Sequence, residues 1–230
     1  MSFFKSSKKA EDVKQGGSNH ITSSGVYPVT LLAPIVSVSK GGSTSIDMFV
    51  DHAGQKQVIY GNLRITNKDG SPNKIGAKIF NQLMIIADVE EVSDPIEIDL
   101  PIGKKAAIKT VAALEDLADI DVMMRVQMEY GIYQGNITEK KVIKAFFRAG
   151  DNASAEEIVN DEEAGSAFER ESKYLDNITF KDEVTPEQVK QWISDKRPKG
   201  TAGDSAGGAD TSEKKPSFGK KRAFGKKKES

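Results

Sequence analysis

The sequence predicts a mainly β protein: a five-stranded OB-like barrel with one helix between strands 3 and 4, a C-terminal helical extension and disordered tails. Three observations predict it. Between Val26 and Arg148, five segments alternate apolar and polar residues with the two-residue period of a half-buried strand. The period changes to a helical one between the third and fourth of them. From Pro198 the chain is mostly Gly, Ala, Ser, Asp and Lys, a composition that cannot build a core. Three strands, a helix and two strands is the order of that small Greek-key barrel. An antiparallel α+β domain of another topology is the alternative.

Residues 1–24 read as a flexible leader, with Gly16-Gly17-Ser18-Asn19 and Thr22-Ser23-Ser24-Gly25 as breakers. Residues 25–150 form the barrel domain. Val29, Leu31, Ala33 and Ile35 alternate in strand 1. Pro34 offers no N–H to a ladder, so this strand is expected to be bent, bulged or at an edge. Lys40-Gly41-Gly42-Ser43 turns the chain. Ile46, Met48 and Val50 define strand 2, with Asp47, Phe49 and Asp51 on its polar side. Strand 3 runs from Val58 to Thr66 and ends in the turn Asn67-Lys68-Asp69-Gly70.

Ile75, Ile79, Phe80, Leu83, Met84 and Ala87 then fall on one helical stripe. Asp88 to Asp99 reads as an acidic stretch through which Pro95 and Pro101 prevent regular helix, and Val111 to Ala118 as a short second helix. Ile120 to Met128 alternates strictly and is the clearest strand. Gln134-Gly135-Asn136 turns it into a last strand carrying Ile143, Ala145 and Phe147 on one side and Lys140, Lys144, Phe146 and Arg148 on the other. Residues 151–195 form an acidic, partly helical extension. In it Thr185-Pro186-Glu187-Gln188 has the N-cap, first-position proline and capping-box glutamine of a helix start. Trp192, the only Trp, is expected to dock that helix on the barrel. Residues 196–230 read as a disordered basic tail.

The charges are sorted along the chain. The formal net charge is −1, but residues 1–150 carry +1, residues 151–195 carry −9 and residues 196–230 carry +7. Near-neutrality is thus two opposed segments cancelling, and it does not argue against a polyanionic partner. The acidic segment is also positioned in the chain to fold back over a basic groove or over the tail. Cysteine is absent, which removes disulfides, thiolate metal sites and Cys nucleophiles. No apolar run reaches the about 18 residues of a membrane span, and no signal-peptide core is visible, so a soluble cytoplasmic protein is expected.

No catalytic constellation emerges. His20 and His52 have no metal-ligand spacing, and Gly103-Lys104-Lys105 lacks the flanking residues of a phosphate loop. The stretch 88–99 lacks the central Gly and the alternation of a calcium loop. The expectation is a binding protein that is not an enzyme, with no cofactor and no metal.

An OB-like barrel holds single strands with basic residues and aromatic platforms on a sheet face. The candidates are Tyr60, Arg64 and Lys68 on and after strand 3, then Tyr130, Tyr133, Lys140, Lys144, Phe146 and Arg148 on the last hairpin. The tail repeats Phe-Gly-Lys-Lys, and Phe218, Lys220, Lys221, Phe224 and Lys226 are candidates for further contacts with DNA or a partner.

Several blocks carry a family resemblance. They are Met1-Ser2-Phe3-Phe4, Gly25-Val26-Tyr27-Pro28-Val29, Ile65-Thr66-Asn67-Lys68-Asp69-Gly70 and Phe80-Asn81-Gln82-Leu83-Met84, followed by the late strand pair, the Trp192 helix and a Gly/Lys-rich tail. In that order, over residues 25–195, the chain resembles the single-stranded DNA-binding proteins of bacteriophage replication and recombination modules. The resemblance implies an OB-like fold that coats single-stranded DNA without sequence specificity in the host cytoplasm. It also implies replication or recombination proteins as partners, and a homo-oligomer is compatible with it. Many such proteins end in an acidic tail; here the last segment is basic and the acidic one internal. A structural or assembly protein with a β-barrel, and a single-stranded RNA-binding accessory protein, are the competing readings.

Overall fold

The structure is a computed structural model and describes residues 19–102 and 104–196. The leader up to residue 18 and the basic tail, with Phe218, Lys220, Lys221, Phe224 and Lys226, lie outside the described residues. The strands are β1 (Gly25–Val38), β2 (Thr44–His52), β3 (Gln55–Arg64), β4 (Ile96–Leu100), β5 (Lys109–Ala113), β6 (Ile120–Tyr133), β7 (Asn136–Arg148) and β8 (Thr179–Phe180). The helices are α1 (Lys74–Ile86), α2 (Ala155–Asn160), α3 (Ser166–Ser172) and α4 (Pro186–Lys196).

The fold is mainly β, and its sheet is open. The strands follow the path β3-β2-β1-β5-β4, while β6 pairs with β1, β7 and β8. Every pairing is antiparallel except the short β6–β8 contact. β3 and β7 end the path β3-β2-β1-β6-β7, and no ladder joins them among the described residues. The expected closed five-stranded barrel is therefore not formed: a seam lies between β3 and β7.

Strand β1 is the hinge of this arrangement. One edge pairs with β2. The other pairs with β6 from Gly25 to Leu31 and with β5 at Ile35 and Val36. The β1–β2 register steps between Leu31 and Ala33, so Leu32 is an extra residue. Pro34 sits where β1 changes partner, and its carbonyl accepts the Leu114 N–H at 2.9 Å. Of the irregularities expected of strand 1, the bulge is there, at Leu32, two residues before Pro34, which still pairs with Met48.

The stretch from Asp88 to Ala118 departs from expectation. Ile96, Ile98 and Leu100 alternate with Glu97 and Asp99 and form β4. The segment expected to be a helix, Val111 to Ala118, is instead the end of β5 followed by a 3-10 turn at Glu115–Leu117. The reason is packing. Ile98, Leu100, Ile102 and Val111 cover Ala33, Ile35 and Phe49 on the outer face of the sheet, which builds a second small core. Phe49, on the polar side of strand 2, is buried there.

The main core lies between the inner sheet face and α1, and contains Leu31, Met48, Ile59, Leu63, Leu83, Val122, Met124 and Phe146. Asn73 caps α1 by accepting the Gly76 N–H at 3.0 Å. Gly76 is required by close approach: a Cβ there would lie 2.0 Å from the Arg64 carbonyl oxygen. Helix α2 belongs to the same body, with Ala155 and Ile158 in the main core. Buried Arg125 donates to the carbonyls of Val126 and Tyr174 and holds the return from α3 against β6. The capping box of α4 forms as expected, with Thr185 N–H donating to Gln188 Oε1 at 2.8 Å. Trp192 docks edge-on against Tyr130, with ring centroids 6.1 Å apart.

Candidate nucleic-acid interface

The seam between β3 and β7 is the natural place to look for a ligand. Strand β3 buries Gln57, Ile59 and Leu63 and turns Lys56, Val58 and Tyr60 outward. Opposite, the β6–β7 hairpin is closed by Gln134 and Gly135, both with positive φ (50° and 76°), as a two-residue hairpin turn of the I′ kind requires. This puts Tyr133 at the tip and Lys140 farther down the same face, because Tyr133 pairs with Asn136 and Glu129 with Lys140.

Two open clefts meet here. One, of about 420 Å³, is lined by Val58, Tyr60, Glu139, Lys140 and Lys141. The other, of about 450 Å³, runs along the hairpin past Ile132, Tyr133, Thr138 and Glu139 to Lys181 and Asp182. They share Glu139 and Lys140, so they adjoin along β7, and together they are called the trough. Tyr60 and Tyr133 stand near its two ends, 63% and 66% exposed.

The electrostatics of the trough are mixed. Lys140 is exposed. Burial pushes the ammonium of half-buried Lys141 to a lower pKa, with Glu139 opposing that shift. Lys181 is paired with Glu129 at 2.7 Å, and Asp182 accepts the Ile132 N–H at 3.1 Å. Glu139 accepts from the Tyr130 hydroxyl at 3.0 Å. Burial, then the neighbouring Glu139 charge, raises that phenol to about 12.

Three of the sequence-predicted residues come together at the trough: Tyr60, Tyr133 and Lys140. Arg64 and Lys68 are exposed at the far end of β3, where the Lys68 side chain lies along Gly41 of the β1–β2 turn. The other four go elsewhere. Tyr130 is 3% exposed, under Val184, Val189 and Trp192, so it is a core residue and no stacking platform. Phe146 is 2% exposed, in the main core. The cause is a bulge: Arg125 pairs with Ala145 and Val126 with Ile143, so Lys144 is extra and the alternation slips by one. Lys144 thereby lines a cleft beside Glu156 and Arg170, away from the trough. Arg148 is held by Asp151 through two bonds of 3.0 and 2.6 Å. Those bonds, with the Ala153 N–H, keep the Asp151 carboxyl at about 2.

Lys141 and Val58 also line the trough, outside the residues that the sequence pattern selects. Val58 shares a strand face with Tyr60, a signal the two-residue period carries. Lys141 had no such signal, because it lies on the hairpin face opposite to Lys140. The acidic extension does not lie across the trough: α2 packs into the main core through Ala155 and Ile158, and α3 sets Phe168 edge-on against Phe147 at 5.3 Å. Only Lys181 and Asp182 reach the trough's edge.

Among the described residues, no group of three or more His, Asp or Glu is placed to hold a metal ion. His52 is occupied structurally, with Nδ1 2.9 Å from the Pro28 carbonyl oxygen and its ring edge-on to Tyr27. No helix of the described residues is long and apolar enough to cross a membrane. Neither a protein-family model nor a curated protein matches the chain.

Proposed function

We propose that this chain binds and protects single-stranded DNA without sequence specificity, as bacteriophage replication and recombination require, and that it does so along the trough between β3 and β7. The observation that carries the reading is the pair of exposed tyrosines, Tyr60 and Tyr133, with Lys140 between them on an open seam. Stacking on tyrosine tolerates any base, since every base has a π-face, and lysine neutralises phosphate regardless of sequence. The path β3-β2-β1-β6-β7, with α1 between β3 and β6, follows the strand order of an OB fold, and this supports an OB-like ancestry with the last ladder unmade. The resemblance of the sequence blocks to phage single-stranded DNA-binding proteins selects DNA over RNA, and it points to replication or recombination proteins as partners. The reading assigns no catalysis to the chain.

The test is a titration of labelled oligo-dT of about 16 nucleotides, within the site sizes known for such folds. RNA of the same length and duplex DNA compete, at two salt concentrations. Arg64, Lys68, Lys140 and Lys141 on phosphates should contribute about −3 to the slope of log K against log salt, at about 0.7 per contact. Preference for RNA moves the chain to the accessory-protein reading. No binding of any nucleic acid leaves the structural or assembly reading and overturns this one.

A further inference from the structure

The β4–β5 hairpin is an arm laid across the sheet, and it ends near the trough. It is anchored to β1 by only two residue pairs, Ile35–Ala113 and Val36–Ala112. Its underside is apolar: Ile98, Leu100, Ile102 and Val111 pack in one cluster with Ala33 of β1, Phe49 of β2 and Val58 of β3. Those three sheet residues are consecutive neighbours across the strands, since Ala33 pairs with Phe49 and Phe49 with Val58. The arm therefore spans β1, β2 and β3, and Val58, where its apolar contacts end, is a wall of the trough.

The tip differs in chemistry from the rest of the arm. Residues 102–109 hold three lysines and no acidic residue. Glu97 and Asp99 stay back on β4, and Asp99 accepts from Thr110 at 2.6 Å. Leu100 pairs with Lys109, and cross-strand partners share a face, so Lys109 extends the underside stripe toward the tip. Ile108, beside it, is 64% exposed. At the tip Lys105 and Ala106 both take left-handed backbone (φ 56° each), a conformation disfavoured for residues with a Cβ and held here without glycine.

We propose that this arm is a second wall of the polynucleotide site, with Lys105 and Lys109 on the phosphates of the single strand where it leaves the trough past Val58, and Ile108 against its sugars or bases. The proposal rests on the single-strand-binding reading above. It adds an interaction surface on the side of β3 away from the β6–β7 hairpin.

The experiment compares the full chain with a K105A/K109A variant on the same oligo-dT. Both side chains are exposed, so the melting temperature should not change. Two lost phosphate contacts should make the salt slope less negative by about 1.4. Between 50 and 200 mM salt, wild type should then lose about sevenfold more affinity than the variant. Wild type that binds with the same slope as the variant overturns the arm and leaves the trough standing. Wild type that binds no oligonucleotide overturns the binding reading itself, and the arm with it.

Discussion

Truncating the two exposed tyrosines separates binding from folding. Tyr60 and Tyr133 are 63% and 66% exposed, so most of each ring is already in water. Removing either ring uncovers little apolar surface, and stability should change by about 1 kcal/mol or less, the span of strand propensity. A base stacked on an aromatic ring contributes about 1–3 kcal/mol by alanine substitution. Tyr60→Ala and Tyr133→Ala should each weaken binding of single-stranded DNA by about 5- to 150-fold. Neither substitution removes a charge, so the salt slope should stay as in wild type. The assay is anisotropy of a labelled oligonucleotide at several salt concentrations, with a thermal melt of each variant beside it. Wild-type affinity in both variants would refute the stacking argument. A changed slope with unchanged affinity at one salt would do so as well, because it would assign these positions an ionic role.

Three further outcomes follow from the packing. Phe146→Leu should cost about 1–2 kcal/mol of stability and leave the affinity and salt slope of the folded protein unchanged, because Phe146 lies in the core. Gly76→Ala forces a Cβ to within 2.0 Å of the Arg64 carbonyl, so α1 must retreat from β3. A loss of about 3 kcal/mol, or roughly 6–12 °C in Tm, is expected by calorimetry. Glu157 is buried, which alone would raise its pKa. Bonds from Ser154 N–H, Ser166 Oγ, Ala167 N–H and Gly165 N–H overcome this and hold it at about 2 against 4.5. A lowered native pKa contributes stability above the unfolded value that is lost as pH falls from 4.5 toward 2. Glu157→Gln should cost about 3 kcal/mol at neutral pH and flatten stability against pH in that window, as read by urea titration.

The elements that could be read from the sequence are those whose own residues carry their period. β3 and β6 alternate along their sequence, β2 does so but for Phe49, which is buried on its polar side, α1 carries one continuous stripe, and Thr185 to Gln188 contains its own cap. Tyr60 and Tyr133 were legible for the same reason, one on the polar side of a strand and the other at a hairpin tip. The misreadings trace to information held elsewhere in the chain. β4 and β5 have five residues each, flanked by prolines and acidic residues, and become strands because Ala33, Ile35 and Phe49 need covering. The bulge at Lys144 is a property of pairing with β6, and it turns Phe146 inward. Tyr130 is buried by Val184, Val189 and Trp192, more than fifty positions downstream. The open seam likewise depends on two strand edges that no local pattern describes.

The most direct measurement places the bound strand on the protein. Oligo-dT carrying 5-bromouracil is photocrosslinked to the full chain, and the crosslinked peptides are mapped by mass spectrometry. The account predicts crosslinks at Tyr60 and within residues 132–141, and their loss under excess unlabelled single strand. Crosslinks confined to the tail beyond residue 196, or to the cleft around Asp51 and Asp121, would contradict it.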